Sequence, residues 1–545
     1  MRNKLPALLF SLISSASLAP LACSSSAPPK APKDATALPG SDASEPPPAN
    51  DSGDPPLPDS SVGLEAGKDA EPPPPVPGQL LLTTNQVVDG LRCDVFTWKD
   101  SRGKERSASL VRNDGPDLRG YFGGYLRRFT YEKLNGTPMD IHGSPADHPG
   151  WGYTINHLRG TGNLWSSLYQ PGTFRQVFLG THHAIHEFAW NAVGWPGGPV
   201  KITIHWLMTT GRDHPLWSVT YDLTGTSANR VEADDRSPYG DLQWDNGAGS
   251  NVDGVAWGDR YRFKTTGAGP VTVRSAWDYT QPNRVPHVHM WSSSADAEMG
   301  SVQTLDWTNK DAGGTWLYVN WGRTSANKVI NQGTPASQTM PIDWNWPFQL
   351  NQYEITAGDT RSKRLAWGTR NGSIGSSSYA AYGDDRNLSG YPYQGHSVFM
   401  VLGGKSEGAV EAQIAQVEAS LDARLVAARG SVTTSGAPGI ARTDTAAYPF
   451  AGWNSNYGAF ELGCDGTSSA QITMTPAGGP VKHPVFMVHG YTKNDVPDTL
   501  AFGTETLVKH VDFFPSLDRR IQTLWLTIKR TVSAPTGIGI GAPAP

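Results

Sequence analysis

Charge and cysteine are both scarce in this chain. Charged residues make up 17% of its 545 positions, with Lys plus Arg at 45 against Asp plus Glu at 50. The acidic excess falls mainly in a Pro-rich N-terminal stretch. Residues 79–545 are left near a net charge of −1, which argues against nucleic acid as a partner. Past the N-terminus, no stretch reaches the ~18 uninterrupted apolar residues that a transmembrane helix needs. No glycine-rich nucleotide fingerprint occurs, and strands do not alternate regularly with helices, which speaks against a doubly wound α/β fold. The only Gly-x-Ser-x-Gly string, Gly404-Lys405-Ser406-Glu407-Gly408, lies ahead of the strand-like run His483 to His489-Gly490, where an α/β-hydrolase would have its elbow after it, and too few residues follow that run. The run therefore does not open an α/β-hydrolase. Only three cysteines are present, Cys23, Cys93 and Cys464.

What is present starts with a short export-type segment. Arg2 and Lys4 precede an apolar stretch from Leu5 to Leu21 that is too short and interrupted to span a bilayer. It ends at Leu21-Ala22-Cys23, followed by Ser24-Ser25-Ser26. This pattern resembles a bacterial lipoprotein signal. The resemblance implies that residues 1–22 are removed, that Cys23 is acylated, and that lipid is the only membrane anchor, at the outer membrane or cell surface. Residues 24–78 hold 15 prolines in 55 positions and almost no large apolar side chains. Too little apolar surface is available there to offset the entropy of ordering, so an extended tether is expected over 23–78. With Cys23 lipidated, Cys93 and Cys464 remain as an even pair in an oxidising compartment, and a disulfide between them is expected.

The remaining ~467 residues have β-type punctuation. Runs such as Val200–Leu207, Leu216–Tyr221, Ser397–Leu402 and Gln522–Ile528 are β-branched or aromatic and alternate in period two. One segment departs from this. Val410, Ile414, Val417, Leu421 and Leu425 recur at spacings of four, three, four and four. Ser406 stands ahead as a cap and Gly430 behind as a stop, so the pattern predicts a helix over about 407–429, with its caps 406–430. The expected fold is mostly β: a large antiparallel β-(super)sandwich over 79–405, the helix, and a small C-terminal β-sandwich over 431–545.

Function is hinted at by where two residue types fall. Seventeen of the 19 tryptophans lie between Trp98 and Trp367, and ten of the 14 histidines between His142 and His289. Indole rings form platforms for sugars, and Trp151, Trp190, Trp206, Trp277 and Trp291 are the candidates, with Asn156 as a polar contact. Gly211-Arg212-Asp213-His214-Pro215-Leu216-Trp217, Tyr221 and Asn156-His157 resemble, in texture, the β-sandwich of galactose-mutarotase-like proteins and polysaccharide lyases. That resemblance implies a polysaccharide partner and, for a lyase, β-elimination at a uronic acid. The reaction needs a group to neutralise the carboxylate, a base and an acid. Arg284 or Asn156 fits the first role, His157, His182, His183 or His186 the second, and Tyr153 or Tyr279 the third. His182 and His186 could instead ligate a divalent metal with His205 as a third ligand. Two alternatives stay open. One is a glycoside hydrolase using carboxylates among Asp234, Asp235, Asp241, Asp245 and Asp278. The other is a glycan-binding lipoprotein without catalysis.

Overall fold

The computed structural model describes residues 76–112, 123–143, 150–158, 172–192, 200–222, 233–242, 254–257, 261–264, 285, 287–304, 363–369, 393–433 and 452–543. The larger sandwich contains β1 (Leu81–Val88), β2 (Leu91–Lys99), β3 (Glu105–Val111), β4 (Leu126–Glu132), β5 (Pro138–His142), β6 (Trp151–Leu158), β7 (Thr173–Leu179), β8 (His183–Ala192) and β9 (Val200–Thr209). It continues with β10 (Leu216–Asp222), β11 (Ala233–Leu242), β12 (Gly254–Trp257), β13 (Tyr261–Lys264), β14 (His287–Ser292), β15 (Ala297–Gln303), β16 (Lys363–Thr369) and β17 (Tyr393–Gly403). These form two sheets. One runs β1-β2-β3-β4-β6-β11-β16 with β5 beside β4, and the other runs β13-β12-β14-β15-β17-β10-β9-β8-β7.

Alternation along the strands decides which faces meet. On β9, Ile202, Ile204, Trp206 and Met208 are fully buried, whereas Lys201 is exposed and His205 half-buried. Trp206 donates its Nε1–H to the Gly124 carbonyl (2.6 Å), and Trp217 on β10 donates to the Gly152 carbonyl (2.7 Å). Indoles of one sheet thus bond to the backbone of the other. Gly152 has φ +104°, and a Cβ there would lie 2.6 Å from the Trp206 ring. Only glycine lets the sheets approach so closely at that point.

After β17 comes one α-helix among the described residues, α1 (Ala409–Asp422), which buries Val410, Ile414, Val417 and Leu421. The helix is shorter than its periodicity predicts. Its N-cap is Gly408, because Ser406 lies in a preceding 3₁₀ turn. From Arg424 the chain becomes a strand, β18 (Arg424–Arg429), paired with Thr475, Met474 and their neighbours. Leu425 is buried as its place in the four-residue spacing requires, but as a strand residue. The backbone groups of 424–429 find partners across a sheet, and tertiary pairing overrides the local helical signal.

The C-terminal strands are β19 (Ser431–Val432), β20 (Trp453–Asn454), β21 (Ala459–Gly463), β22 (Ala470–Thr475), β23 (Val481–Lys482), β24 (Val485–His489) and β25 (Thr499–Phe502). Then follow β26 (Glu505–Val508), β27 (Phe513–Asp518), β28 (Thr523–Ile528), β29 (Thr531–Val532) and β30 (Thr536–Ile540). With β18 they build a five-stranded sheet, a six-stranded sheet and a two-stranded β23-β29 ribbon. Residues 73–545 form one compact unit, and one hydrophobic cluster runs through both sandwiches.

The expected Cys93–Cys464 disulfide is not formed. Both are free thiols: Cys93 is buried on β2, whereas Cys464 follows β21 in the other sandwich. Burial pushes the Cys93 thiol up to about 12 and the Cys464 thiol up to about 11.

Candidate functional site

Among the described residues, most of the side chains singled out from composition are buried. Trp151 and Trp206 are fully buried between the sheets, and Trp190 is 6% exposed. Their rings offer no face to a sugar, which corrects their assignment as platforms. Trp291 is half-buried and already carries the Lys405 ammonium 5.0 Å from its ring centroid. The same holds for the histidines. His182 donates from Nδ1 to the Gly78 carbonyl (3.0 Å), so its Nε2 accepts from His510 Nδ1 (2.8 Å). His183 is bonded to the Ser516 hydroxyl and to the Thr527 hydroxyl, 3.0 Å each. His186 lies on the opposite face of β8, among Phe96, Phe174 and Phe188, with Nε2 3.4 Å from buried Asp94. The three histidines therefore do not share a site. His205 is engaged with Glu187, and no metal-type cluster of three His, Cys, Asp or Glu residues stands among the described residues.

Tyr153, Asn156 and His157 lie on β6, where the ladder sets them opposite Tyr239, Asp235 and Asp234 of β11. Asp241 is opposite Arg364 on β16. Tyr279, Arg284, Trp277, Asp245 and Asp278 fall outside the described residues.

Two other groups come together instead, both on the side of the nine-stranded sheet that faces the small sandwich. The segment Trp453–Gly458 docks there. Trp453 Nε1 donates to the Thr304 carbonyl (2.8 Å), and the Thr304 hydroxyl donates to the Ser455 carbonyl (2.6 Å). The Ser397 hydroxyl donates to the Asn456 carbonyl (3.2 Å). This docking brings Tyr457 against His205, with rings stacked at 6.3 Å and the phenol 3.4 Å from Nδ1. His205 Nε2 lies 2.8 Å from Glu187 Oε2, and Arg175 holds the same carboxylate through Nε and Nη2 (3.1 Å each). A carboxylate only accepts, so the His205 proton sits on Nε2 and Nδ1 accepts from Tyr457. Burial works against ionisation of Glu187, but the bonds from His205 and Arg175 outweigh it and hold the carboxyl at about 2. Burial, assisted by the charges of Glu187 and Glu461, pushes the Tyr457 phenol up to about 12. The result is a fixed anion, an oriented imidazole and a protonated phenol in a row. All four side chains are at least partly exposed.

The second group lines a cavity of about 280 Å³ between the β9–β10 turn, α1 and the start of β24. The turn is Gly211-Arg212-Asp213-His214, the string that carries the texture resemblance in the sequence. Gly211 has φ +89°, and a Cβ there would lie 2.9 Å from the Thr527 methyl. The turn therefore depends on glycine at the point where the two sandwiches touch.

Sequence reading missed Tyr457 because its partner His205 lies 252 positions away. No local pattern links them.

The described elements define a class: a two-sandwich β-protein whose smaller sandwich docks on the larger one's nine-stranded sheet. Among solved structures, galactose 1-epimerase from Lactobacillus acidophilus NCFM is similar to it. The match covers 60% of this chain and 99% of that chain at 9% identity, with a TM-score of 0.28, a weak resemblance. No family model and no curated protein matches the chain.

Proposed function

We propose that this is an exported, carbohydrate-active protein that acts on a uronic-acid-containing glycan by β-elimination. The supporting observation is the hydrogen-bonded row Tyr457–His205–Glu187, held by Arg175 at the seam of the two sandwiches. In this reading His205 Nδ1 takes the proton on the carbon next to the sugar carboxylate. The electron pair forms the new double bond, the glycosidic C–O bond breaks, and the Tyr457 hydroxyl protonates the departing oxygen. The proton on His205 then returns to the Tyr457 oxygen, so no water is consumed. Acid and base touch each other, which suits removal of both groups from one side of the ring. Arg175 spends two of its five N–H donors on Glu187, leaving capacity for the sugar carboxylate. Positioned acids and bases contribute typically ~10²–10⁴-fold each.

The test is a panel of uronic-acid and neutral glycans, followed by absorbance of the unsaturated uronide and by reducing ends. Tyr457→Phe should cut formation of the unsaturated product at least ~100-fold while leaving glycan binding within about twofold. Reducing ends without unsaturated product would mean hydrolysis, with Asp234, Asp235, Asp241, Asp245 and Asp278 as the carboxylates to replace. Binding without turnover would leave a glycan-binding lipoprotein.

Export and lipidation belong to the same proposal and rest on the Leu21-Ala22-Cys23 pattern and the Pro-rich stretch after it. Cys23→Ser should release the protein from the membrane fraction. Unchanged membrane association would remove the anchor from the proposal.

A further inference from the structure

The cavity beside α1 has a composition that packing does not explain. Its wall carries Arg102, Arg106, Arg212 and Lys482 against Asp213 and Glu407. Arg102 and Arg106 share Asp100, buried behind them, at 3.1 Å each. Arg212 differs from both. Its guanidinium donates to the Tyr457 carbonyl (3.4 Å) and the Gly458 carbonyl, and it stacks 5.4 Å from the centroid of Phe399. No carboxylate pairs with this half-buried guanidinium among the described residues, and a guanidinium drawn partly out of water gains from an anion.

A second observation is independent of that charge. His214 is 7% exposed and lines the same cavity, and its Nδ1 has no hydrogen-bond partner among the described residues. Buried polar atoms are almost always satisfied. His483, which also lines the cavity, donates Nδ1–H to the Gly211 carbonyl (3.2 Å), which leaves Nε2 as an acceptor in the neutral ring. A cation without an anion, an unanswered imidazole nitrogen and an acceptor suited to a hydroxyl thus line one space.

We propose that this cavity binds a small carboxylate-bearing molecule of single-sugar-ring size, with Arg212 holding the carboxylate and His214 and His483 the hydroxyls. The volume of about 280 Å³ lies near the lower bound of ordinary ligand sites, which sets the ring-size limit. The site adjoins the Tyr457–His205–Glu187 row through the Arg212 bond to the Tyr457 carbonyl, but it uses none of the row's side chains. Burial and the nearby Arg106 push the His214 imidazole down to about 3, so it stays neutral and can accept from a hydroxyl.

The experiment is calorimetric titration of the full chain with glucuronate, glucose and inorganic phosphate. Glucuronate should bind, and glucose and phosphate should bind at least tenfold more weakly. Arg212→Gln should weaken glucuronate binding at least tenfold. Because Arg212 also ties the two sandwiches together, a second variant guards against misfolding. Ala412→Trp changes an exposed residue of α1 and fills the cavity from its mouth; it should abolish binding with the melting temperature unchanged. Tyr457→Phe should leave glucuronate binding intact, so that loss of turnover and loss of this site read out separately. No glucuronate binding, equal binding of phosphate, or binding undiminished in a folded Ala412→Trp protein would overturn the proposal.

Discussion

Cysteine shows how far residue type alone can be read. An even pair in an exported chain suggests a disulfide, but pairing is a matter of distance and direction that sequence does not carry. Cys93 sits among β2 and β3 side chains opposite Val111, and Cys464 at the end of a strand in the other sandwich. Burial keeps both thiols protonated at neutral pH, and the thiolate is the reactive form. The folded protein should therefore react slowly with alkylating reagents, Cys93 most slowly. In denaturant without reductant, two thiols should be counted beyond Cys23, and a count of zero would restore the disulfide. The tryptophans carry a parallel lesson. Their clustering is real, but Trp98, Trp151, Trp206 and Trp217 are among the largest fully buried side chains. Three of them find N–H acceptors in backbone carbonyls: Trp98 bonds Arg212, Trp206 bonds Gly124 and Trp217 bonds Gly152. An indole satisfied in this way needs no sugar. Composition could not distinguish a ring that faces a ligand from one that bridges two sheets.

At the scale of elements, periodicity is a reliable guide inside a segment and a poor one at its ends. The four-three-four-four spacing correctly places a helix with Val410, Ile414, Val417 and Leu421 inward. It misplaces the end, because Leu425 satisfies a helical step and a strand alternation at once. The start shifts as well. The buried Glu298 carboxylate accepts the Val410 N–H (2.9 Å), doing from β15 what a capping Ser would do locally. The two halves respond differently to substitution. Ile414→Ala should cost about 2–4 kcal/mol, as expected for truncating a buried aliphatic chain. Leu425→Ala should destabilise by a comparable amount through the β18–β22 pair. A proline at Val426 separates the assignments further. It removes a backbone donor from a strand, so helix content by far-UV circular dichroism should stay constant in material that remains folded. Loss of helical signal in that folded variant would mean that 424–429 is helix after all.

For the whole molecule, the main point is that two of the histidines read as catalytic, His182 and His183, fasten one sandwich to the other. His183 reaches both β27 and β28 through Ser516 and Thr527, and His182 is joined to His510. These bonds span more than 300 positions in sequence, which is why no motif announces them. Burial keeps both rings in the neutral form. His182 donates from Nδ1 and accepts at Nε2, so a proton on Nε2 would set two donors against each other. Burial, with the His510 charge adding to it, lowers the His182 imidazole to about 4, and burial carries His183 well below the usual value. A histidine lowered on folding binds protons more readily in the unfolded chain. Stability therefore rises with pH across the interval between the two values. The contribution is complete above about 6.5, where both states are neutral, and fades as pH falls from about 6.5 to about 4. For His182 the full interval is worth at most about 3 kcal/mol. The body from Pro73 onward should then unfold in urea as one transition at pH 7, since its sandwiches share a hydrophobic cluster. Its midpoint should drop as pH is lowered from 7 to 4.5. His183→Ala strands the Thr527 hydroxyl and takes one of two partners from the Ser516 hydroxyl, and should cost roughly 1–3 kcal/mol at pH 7, while flattening part of the pH dependence. Two separate transitions for the wild type at pH 7, or a midpoint that does not move between pH 7 and 4.5, would show that these histidines do not hold the sandwiches together.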